Sequence, residues 1–304
     1  MGKWVVDSNY LRSEKLREFL ARSPKNIAVL TDYSAMEAHS GVTLITIFKS
    51  MEIVSEFPHQ VVILRHSSAA SLLRGRRSDL RKRLINEKIT REFPEYCRKL
   101  KLAKAGDVSL QQELLEQGRI SALHMERIRV LVGTEDLRES LKPFASIFTA
   151  EELRLGRRKK PFSDAMISKL ASEVVRLAAV GFAMHQNISK LPPAEELTNT
   201  FLYRFALCGC FLSLGWASAG GAQMVKSERL RNDVVDLNFV SFATFYDGLL
   251  SKDAKAIDIY ETAKDFLKSD AFEAAVRYKY RDFKTSYSRW LRDPDIAAMR
   301  SALV

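Results

Sequence analysis

The residues in this sequence best suited to chemistry are acids that close short apolar runs. Asp7 follows Trp4-Val5-Val6, Asp32 follows Ala28-Val29-Leu30-Thr31, and Asp253 follows Gly248-Leu249-Leu250-Ser251-Lys252. Glu37 comes shortly after Asp32, and Asp233 and Asp236 are spaced to share one helix face near its start. Carboxylates crowded together repel one another unless something neutralises them. A hard divalent cation, Mg²⁺ or Mn²⁺, takes oxygen ligands and does so. One or two such ions can make water nucleophilic and stabilise the leaving oxygen of a phosphodiester, with no need of a histidine base. Each acid also suits a structural post. Ser34-Ala35-Met36-Glu37 fits a capping box, with Ser34 as the cap, and Asp7, Asp32 and Asp253 fit turns or helix caps, the cap being the reading favoured for Asp32. Asp233 and Asp236 suit the first turn of a helix, and Asp247-Gly248 is a turn signal that assigns Asp247 a structural role.

Chemistry from distant acids requires elements that bring them together. Trp4-Val6, Asn26-Thr31 and Gln60-Leu64 read as short buried strands separated by helical stretches, one at Leu11-Ala21 and one running from Ser34 to about Lys49. That alternation predicts a βαβ arrangement and a parallel sheet. In such a sheet ligands bind beyond the carboxyl ends of the strands, where Asp7 and Asp32 fall. The pattern returns late, with a helix over Asn232-Tyr246, a short strand at Leu249-Leu250 and a helix from about Ala254 to Leu267. Between them the sequence reads as helical. Arg119-Leu155 suggests short helices, Ser163-Ile188 is amphipathic with Ser163 and Asp164 as caps, and Pro192-Pro193 opens a long apolar helix. The fold class expected is α/β, a parallel-sheet core with a large all-helical insertion or lobe.

Composition narrows the function. The chain has 304 residues, 48 Lys and Arg against 37 Asp and Glu, and a net charge of +11. Such an excess suits a polyanionic partner, and nucleic acid is the commonest one. From Arg65 to Lys104 there are thirteen Lys/Arg against four Asp/Glu. Arg74, Arg76, Arg77, Arg81, Lys82 and Arg83 in that stretch, with the loop Arg157-Arg158-Lys159-Lys160, are candidate phosphate-backbone contacts. Residues 277–292 mix six Lys/Arg with Tyr278, Tyr280, Phe283, Tyr287 and Trp290, a composition that grips phosphates and stacks on bases, or packs as a terminal amphipathic helix. Cys97, Cys208 and Cys210 form no metal-binding pair and are expected to be reduced, buried thiols of a cytoplasmic protein. The apolar run Phe205-Ala219 has 15 residues, short of the ~20 that cross a bilayer, so a buried core helix and no membrane association are expected. The five histidines show no metal spacing; His39 is assigned a solvent or supporting position, and His66 stands at the end of the third strand. No phosphate-binding loop, dinucleotide fingerprint or nucleophile elbow is present in sequence.

Three places in the sequence resemble the PIN-like nucleases. Val5-Val6-Asp7-Ser8-Asn9 is similar to their first motif, a strand followed by an acid and a small polar residue. Thr31-Asp32-Tyr33-Ser34-Ala35-Met36-Glu37 is similar to the second, an acid early in a helix. The stretch from Asn232 to Asp253 is similar to their last, a helix opened by acids and then a short strand ending in Thr/Ser-x-Asp, here Ser251-Lys252-Asp253. The resemblance covers residues 1–65 and 228–270 as a discontinuous nuclease core. It leaves 66–227 as a helical insertion, longer than in compact members of the family, and 271–304 as a basic-aromatic C-terminal segment.

The resemblance implies a metal-dependent endoribonuclease that leaves 5′-phosphate and 3′-hydroxyl ends. Asp7, Glu37, Asp236 and Asp253 would form the site on Mg²⁺ or Mn²⁺, with Asp233 an additional acid and Ser8 and Ser251 orienting ligands by hydrogen bonds. RNA is favoured over DNA as substrate, in RNA processing, growth arrest or defence, and a homo-oligomer or protein partner could use the insertion. Two rivals are a non-catalytic nucleic-acid-binding scaffold with the same fold and a phosphohydrolase acting on small phosphate esters.

Overall fold

The computed structural model describes residues 1–40, 43–131, 146–157, 161–185, 187–188 and 190–290. In chain order the elements are β1 (Lys3–Val6), α1 (Glu14–Ala21), β2 (Ile27–Leu30), α2 (Asp32–His39), α3 (Leu44–Glu56), β3 (Val61–Ile63), α4 (Ser67–Ser71), α5 (Leu80–Arg83), α6 (Glu87–Lys104) and α7 (Val108–Leu131). Then follow α8 (Ala150–Arg157), α9 (Asp164–Met184), α10 (Ala194–Leu197), α11 (Phe201–Ser218), α12 (Ser227–Ala243), β4 (Gly248–Leu250), α13 (Ala254–Phe266) and α14 (Asp270–Trp290). The chain is mostly helical, with one small all-parallel sheet in the order β3-β2-β1-β4 among the described residues.

Two compact units result. The sheet unit comprises Met1–Ala70, Arg81–Gly133 and Asn238–Tyr260; the helical unit comprises Ser71–Leu80, Thr134–Leu237 and Glu261–Val304. Residues 81–133, expected in the helical insertion, therefore cluster with the sheet.

The sheet forms because its strands are short apolar runs, three of them carrying β-branched residues, and largely buried, as parallel strands must be. Val5, Val6, Ala28 and Val29 are wholly buried. Register sets Val5 opposite both Val29 and Leu249, and Val29 opposite Val62. Helix α2 packs against β2, α3 and α7, and α7 also packs on α6. In the helical unit α9 packs against α11 and α14. Helix α11 is long and apolar enough by composition to cross a membrane, and most of it is buried within the protein. Cys97, Cys208 and Cys210 are buried and form no disulfide.

Several boundaries differ from the sequence expectation, each for a local reason. The helix expected from Ser34 to Lys49 is two helices, since Thr43 caps a second start by accepting from Thr46 N. Thr31, not Ser34 or Asp32, caps α2: its hydroxyl accepts from Ser34 N at 3.1 Å. In place of short helices from Arg119 onward, α7 continues unbroken to Leu131. The prolines at 192 and 193 lead only into the short α10; the long helix starts afresh at Thr200, whose hydroxyl accepts from Tyr203 N. Helix α12 begins at Ser227, so Asp233 and Asp236 lie deeper than its first turn.

Candidate functional site

The strand order explains where a site can form. The chain runs outward from β1 to β2 and β3, and β4 then joins the opposite side of β1. Beyond the carboxyl ends of β1 and β4 the connections diverge, the place where ligands bind in open parallel sheets. Asp7 follows β1 there, and Ser251, Lys252 and Asp253 follow β4. The ladder is continued one step further by Asp7 N donating to Leu250 O at 2.9 Å.

Asp7 is 3% exposed and densely bonded. Its Oδ2 accepts from Ser251 Oγ at 2.6 Å and from Asn9 Nδ2 at 2.6 Å. Its Oδ1 accepts from Asn9 N at 3.4 Å, capping a one-turn 3₁₀ helix at Ser8–Tyr10. Ser8 Oγ approaches Asp7 Oδ1 at 3.4 Å and makes a much closer bond to Glu37 Oε2. A hydroxyl has one proton to give, so Ser8 serves Glu37 first. Ser251 Oγ in turn accepts from Asp253 N at 2.9 Å, while Asp253 Oδ1 caps α13 by accepting from Lys255 N and Ala256 N at 2.7 and 3.1 Å. Ser8 thus ties Glu37 to the turn after β1, and Ser251 ties the Asp7 carboxylate to the backbone amide of Asp253.

Glu37 reaches this place because α2 is pinned to β1. Ser34 is wholly buried and its Oγ donates to Val6 O at 2.7 Å. With Thr31 capping the helix, Glu37 follows Ser34 by almost one turn and so sits on the same face, toward Ser8. Asn9, which is not among the acids and serines that the sequence marks, braces both sides: Nδ2 holds Asp7 and Oδ1 accepts from Lys252 N at 2.9 Å. Its signal was the Asp-Ser-Asn run itself, a pattern rich in local side-chain-to-backbone bonding.

Electrostatics sharpen the picture. Burial pushes the Asp7 carboxyl above its ordinary range, the hydrogen bonds from Ser251, Asn9 and Ser8 pull it back, and the neighbouring Asp253 charge pushes it up again; the net direction is upward. A group so placed gains from a nearby cation.

The other predicted residues have surroundings of their own. Asp32, at the end of β2, pairs through Oδ2 with His66 Nδ1 at 3.2 Å and accepts from Ser67 N at 3.3 Å, joining the ends of β2 and β3. That bond raises the His66 pKa. His39 occupies no solvent position. Its Nδ1 meets Ala35 O at 2.7 Å and its Nε2 meets Tyr96 Oη, in the wall of a cavity of about 460 Å³ between α2, α6 and α7. Burial holds its pKa down, so the ring is neutral. Asp233 is buried in the helical unit and accepts from Trp216 Nε1 at 3.0 Å, and Asp236 is half-buried on the same stretch of α12.

Of the cations, Arg76 faces Glu196 at 3.7 Å, Arg77 faces Glu273 at 3.7 Å, and Arg81 pairs with Asp247 at 2.9 Å. Arg74, Lys82 and Arg83 also have interactions of their own. Arg157 ends α8, and Arg158, Lys159 and Lys160 lie outside the described residues.

The fit to a cation is one of chemistry more than of closed geometry. Asp7, Glu37 and Asp253 offer only oxygen, the donor set of a hard divalent ion. Among the described residues no three His, Cys, Asp or Glu side chains stand ready as placed to share one ion. The hydroxyl of Ser8 lies between the Asp7 and Glu37 carboxylates and that of Ser251 occupies Asp7 Oδ2, so turning them aside would free carboxylate oxygens. No family model, no curated protein and no solved structure matches this chain.

Proposed function

We propose that the sheet unit is a PIN-like, metal-dependent nuclease core that cleaves phosphodiester bonds in RNA. The observation that carries the reading is the gathering of Asp7, Glu37 and Asp253 at the point where the strand order reverses, linked through Ser8 and Ser251. Those three acids would hold Mg²⁺ or Mn²⁺. Such an ion supplies Lewis acidity toward the phosphodiester and a lowered water pKa. The protein's own part is positional. Asn9 and Ser251 fix the plane of the Asp7 carboxylate, Ser8 holds Glu37, and α13 anchors Asp253 through its capping bonds. Lys252 is exposed between Ser251 and Asp253 and offers a charge to the substrate backbone. Asp236, the fourth acid that the resemblance implies, is left out of this set, and Asp233 is assigned to its bond with Trp216.

The test is incubation of the purified chain with labelled RNA, single- and double-stranded DNA and mononucleotide phosphate esters, each with Mn²⁺, Mg²⁺ or EDTA. RNA cleavage is expected only with the divalent ions. Asp7→Asn and Asp253→Asn are each expected to lower it by more than ~100-fold, the upper end of the loss seen when a residue that merely supports a metal ligand is removed. RNA binding should survive both changes, and Asn can still cap α13. Cleavage that persists in EDTA or in both variants sinks the reading. Binding without cleavage would point to a scaffold, and turnover of phosphate esters alone to a small-molecule phosphohydrolase.

A further inference from the structure

The helical unit contains a cavity of about 240 Å³ whose walls include Arg77, Asn199, Tyr203, Arg204 and Glu273. All of them belong to that unit. A water molecule's share of volume is about 30 Å³, so the space takes a small polyatomic group and falls short of the ~300 Å³ at which drug-sized pockets begin.

The bonding in its wall is one-sided. Asn199 Oδ1 accepts from Arg204 Nη2 at 3.1 Å. Arginine only donates, so this contact fixes which end of the amide is which. The Nδ2 end is therefore a donor, and it is buried without a partner. Tyr203 is wholly buried, and its Oη has no partner either. Arg204 is held in place by a second bond, Nε to Thr198 O at 3.1 Å. Glu273, the carboxylate in this wall, is already claimed by Arg277 at 2.6 Å and faced by Arg77 at 3.7 Å. Tyr203 and Asn199 flank the capped start of α11, an 18-residue helix whose N-terminal end carries partial positive charge. Buried donors that lack acceptors are costly. Here the deficit consists of donors in cationic surroundings, and the group that completes it is an anion rich in acceptor oxygens.

We propose that this cavity binds a phosphate group, either free or as the terminal phosphate of an RNA, with Asn199, Tyr203 and Arg204 as its donors. Burial and the nearby Glu273 raise the Tyr203 pKa, so the phenol keeps its proton and donates. The site is independent of the nuclease reading, since it uses no residue of the acidic cluster and needs no divalent ion.

The test uses the full chain in EDTA at constant ionic strength, titrated with inorganic phosphate in a calorimeter. A parallel arm compares one RNA oligonucleotide bearing a 5′-phosphate with the same oligonucleotide ending in a 5′-hydroxyl. Saturable binding of phosphate, or a preference for the phosphorylated end, is expected. Tyr203→Phe deletes one donor without changing shape and should weaken that binding about tenfold while leaving the Tm without phosphate undiminished. Asn199→Asp keeps the acceptor for Arg204, replaces the donor with a carboxylate oxygen, and should abolish binding. The arm that responds to these variants identifies the source of the phosphate. Absence of binding in both arms overturns the proposal. So does binding that both variants leave intact, or a Tyr203→Phe protein that loses stability but not affinity.

Discussion

Asp7 carries opposed influences whose balance is measurable. Its folded pKa is raised above the ordinary 3.8, first by burial and also by Asp253. A carboxyl raised in the folded state contributes stability in full below its unfolded value, and the contribution is lost as pH rises through the folded value. Wild type should therefore lose unfolding free energy relative to Asp7→Asn as pH rises from about 3.5 to neutrality, as read by urea denaturation in EDTA. Adding Mn²⁺ at neutral pH should restore stability to wild type alone, because only the carboxylate gains from the ion. A difference that grows with pH would show the hydrogen bonds of Ser251, Asn9 and Ser8 outweighing burial, and would remove the electrostatic case for a cation. His66 titrates in a separate window. Its pKa is raised by Asp32, so its contribution is complete below the ordinary 6.5 and disappears as pH rises through the folded value. His66→Ala should abolish the loss of stability that sets in as pH rises above 6.5.

Helix α2 is the element on which the site depends, and its anchor is one hydroxyl. Ser34→Ala would leave Val6 O without its buried donor, at a cost of ~1–3 kcal/mol in unfolding free energy. It should also loosen Glu37, so that kcat for RNA cleavage falls while RNA affinity holds. Equal loss of affinity and turnover, or neither, would show that α2 does not position Glu37. The sequence could not reveal this anchor. Ser34-x-x-Glu37 fits the local capping pattern, and the true partner of Ser34 is a carbonyl 28 residues earlier, on strand β1. Caps depend on the immediate chain and can be read from it, as at Ser163 before α9; a hydroxyl used across the fold cannot. Strand β4 shows the complementary case. Gly248 follows Asp247 as a turn signal, but its further role is spatial, because a Cβ there would lie 2.3 Å from the Trp4 ring. Gly248→Ala should displace either β4 or Trp4 and lower the Tm by several degrees, the usual consequence of forced overpacking.

At the scale of the molecule, the sheet was the readable part. Each strand is a brief apolar run ended by a polar or acidic residue, and parallel burial leaves few other ways to use such a run. The partition into units was not readable, because residues 81–133 return to the sheet and 71–80 join the helices, and neither choice leaves a mark on local composition. The net charge of +11 was equally plain in the sequence, but its availability was not. Arg98, Arg119, Arg154 and Arg176 each pair with a glutamate three residues away, and Arg81 is tied to Asp247. Such surface pairs add little stability and leave the net excess unchanged, yet each sets an acid beside its cation and so weakens that cation's hold on a polyanion. The strength of RNA binding should then follow the cations placed beside the acidic cluster more than the total. For single-stranded RNA, log affinity should fall linearly with log salt, with a slope of about −0.7 per phosphate neutralised. Lys252 is exposed next to Asp253, and its removal should register as one such contact. Lys252→Glu is expected to flatten the slope by about 0.7 and weaken binding uniformly across sequences, without lowering the Tm. Lys25, exposed in the turn between α1 and β2, serves as the control for charge alone, and its change to Glu should leave the slope nearly unchanged. If both substitutions flatten the slope equally, the chain attracts RNA through its diffuse charge, and the acidic cluster beyond β1 and β4 has no privileged hold on the backbone.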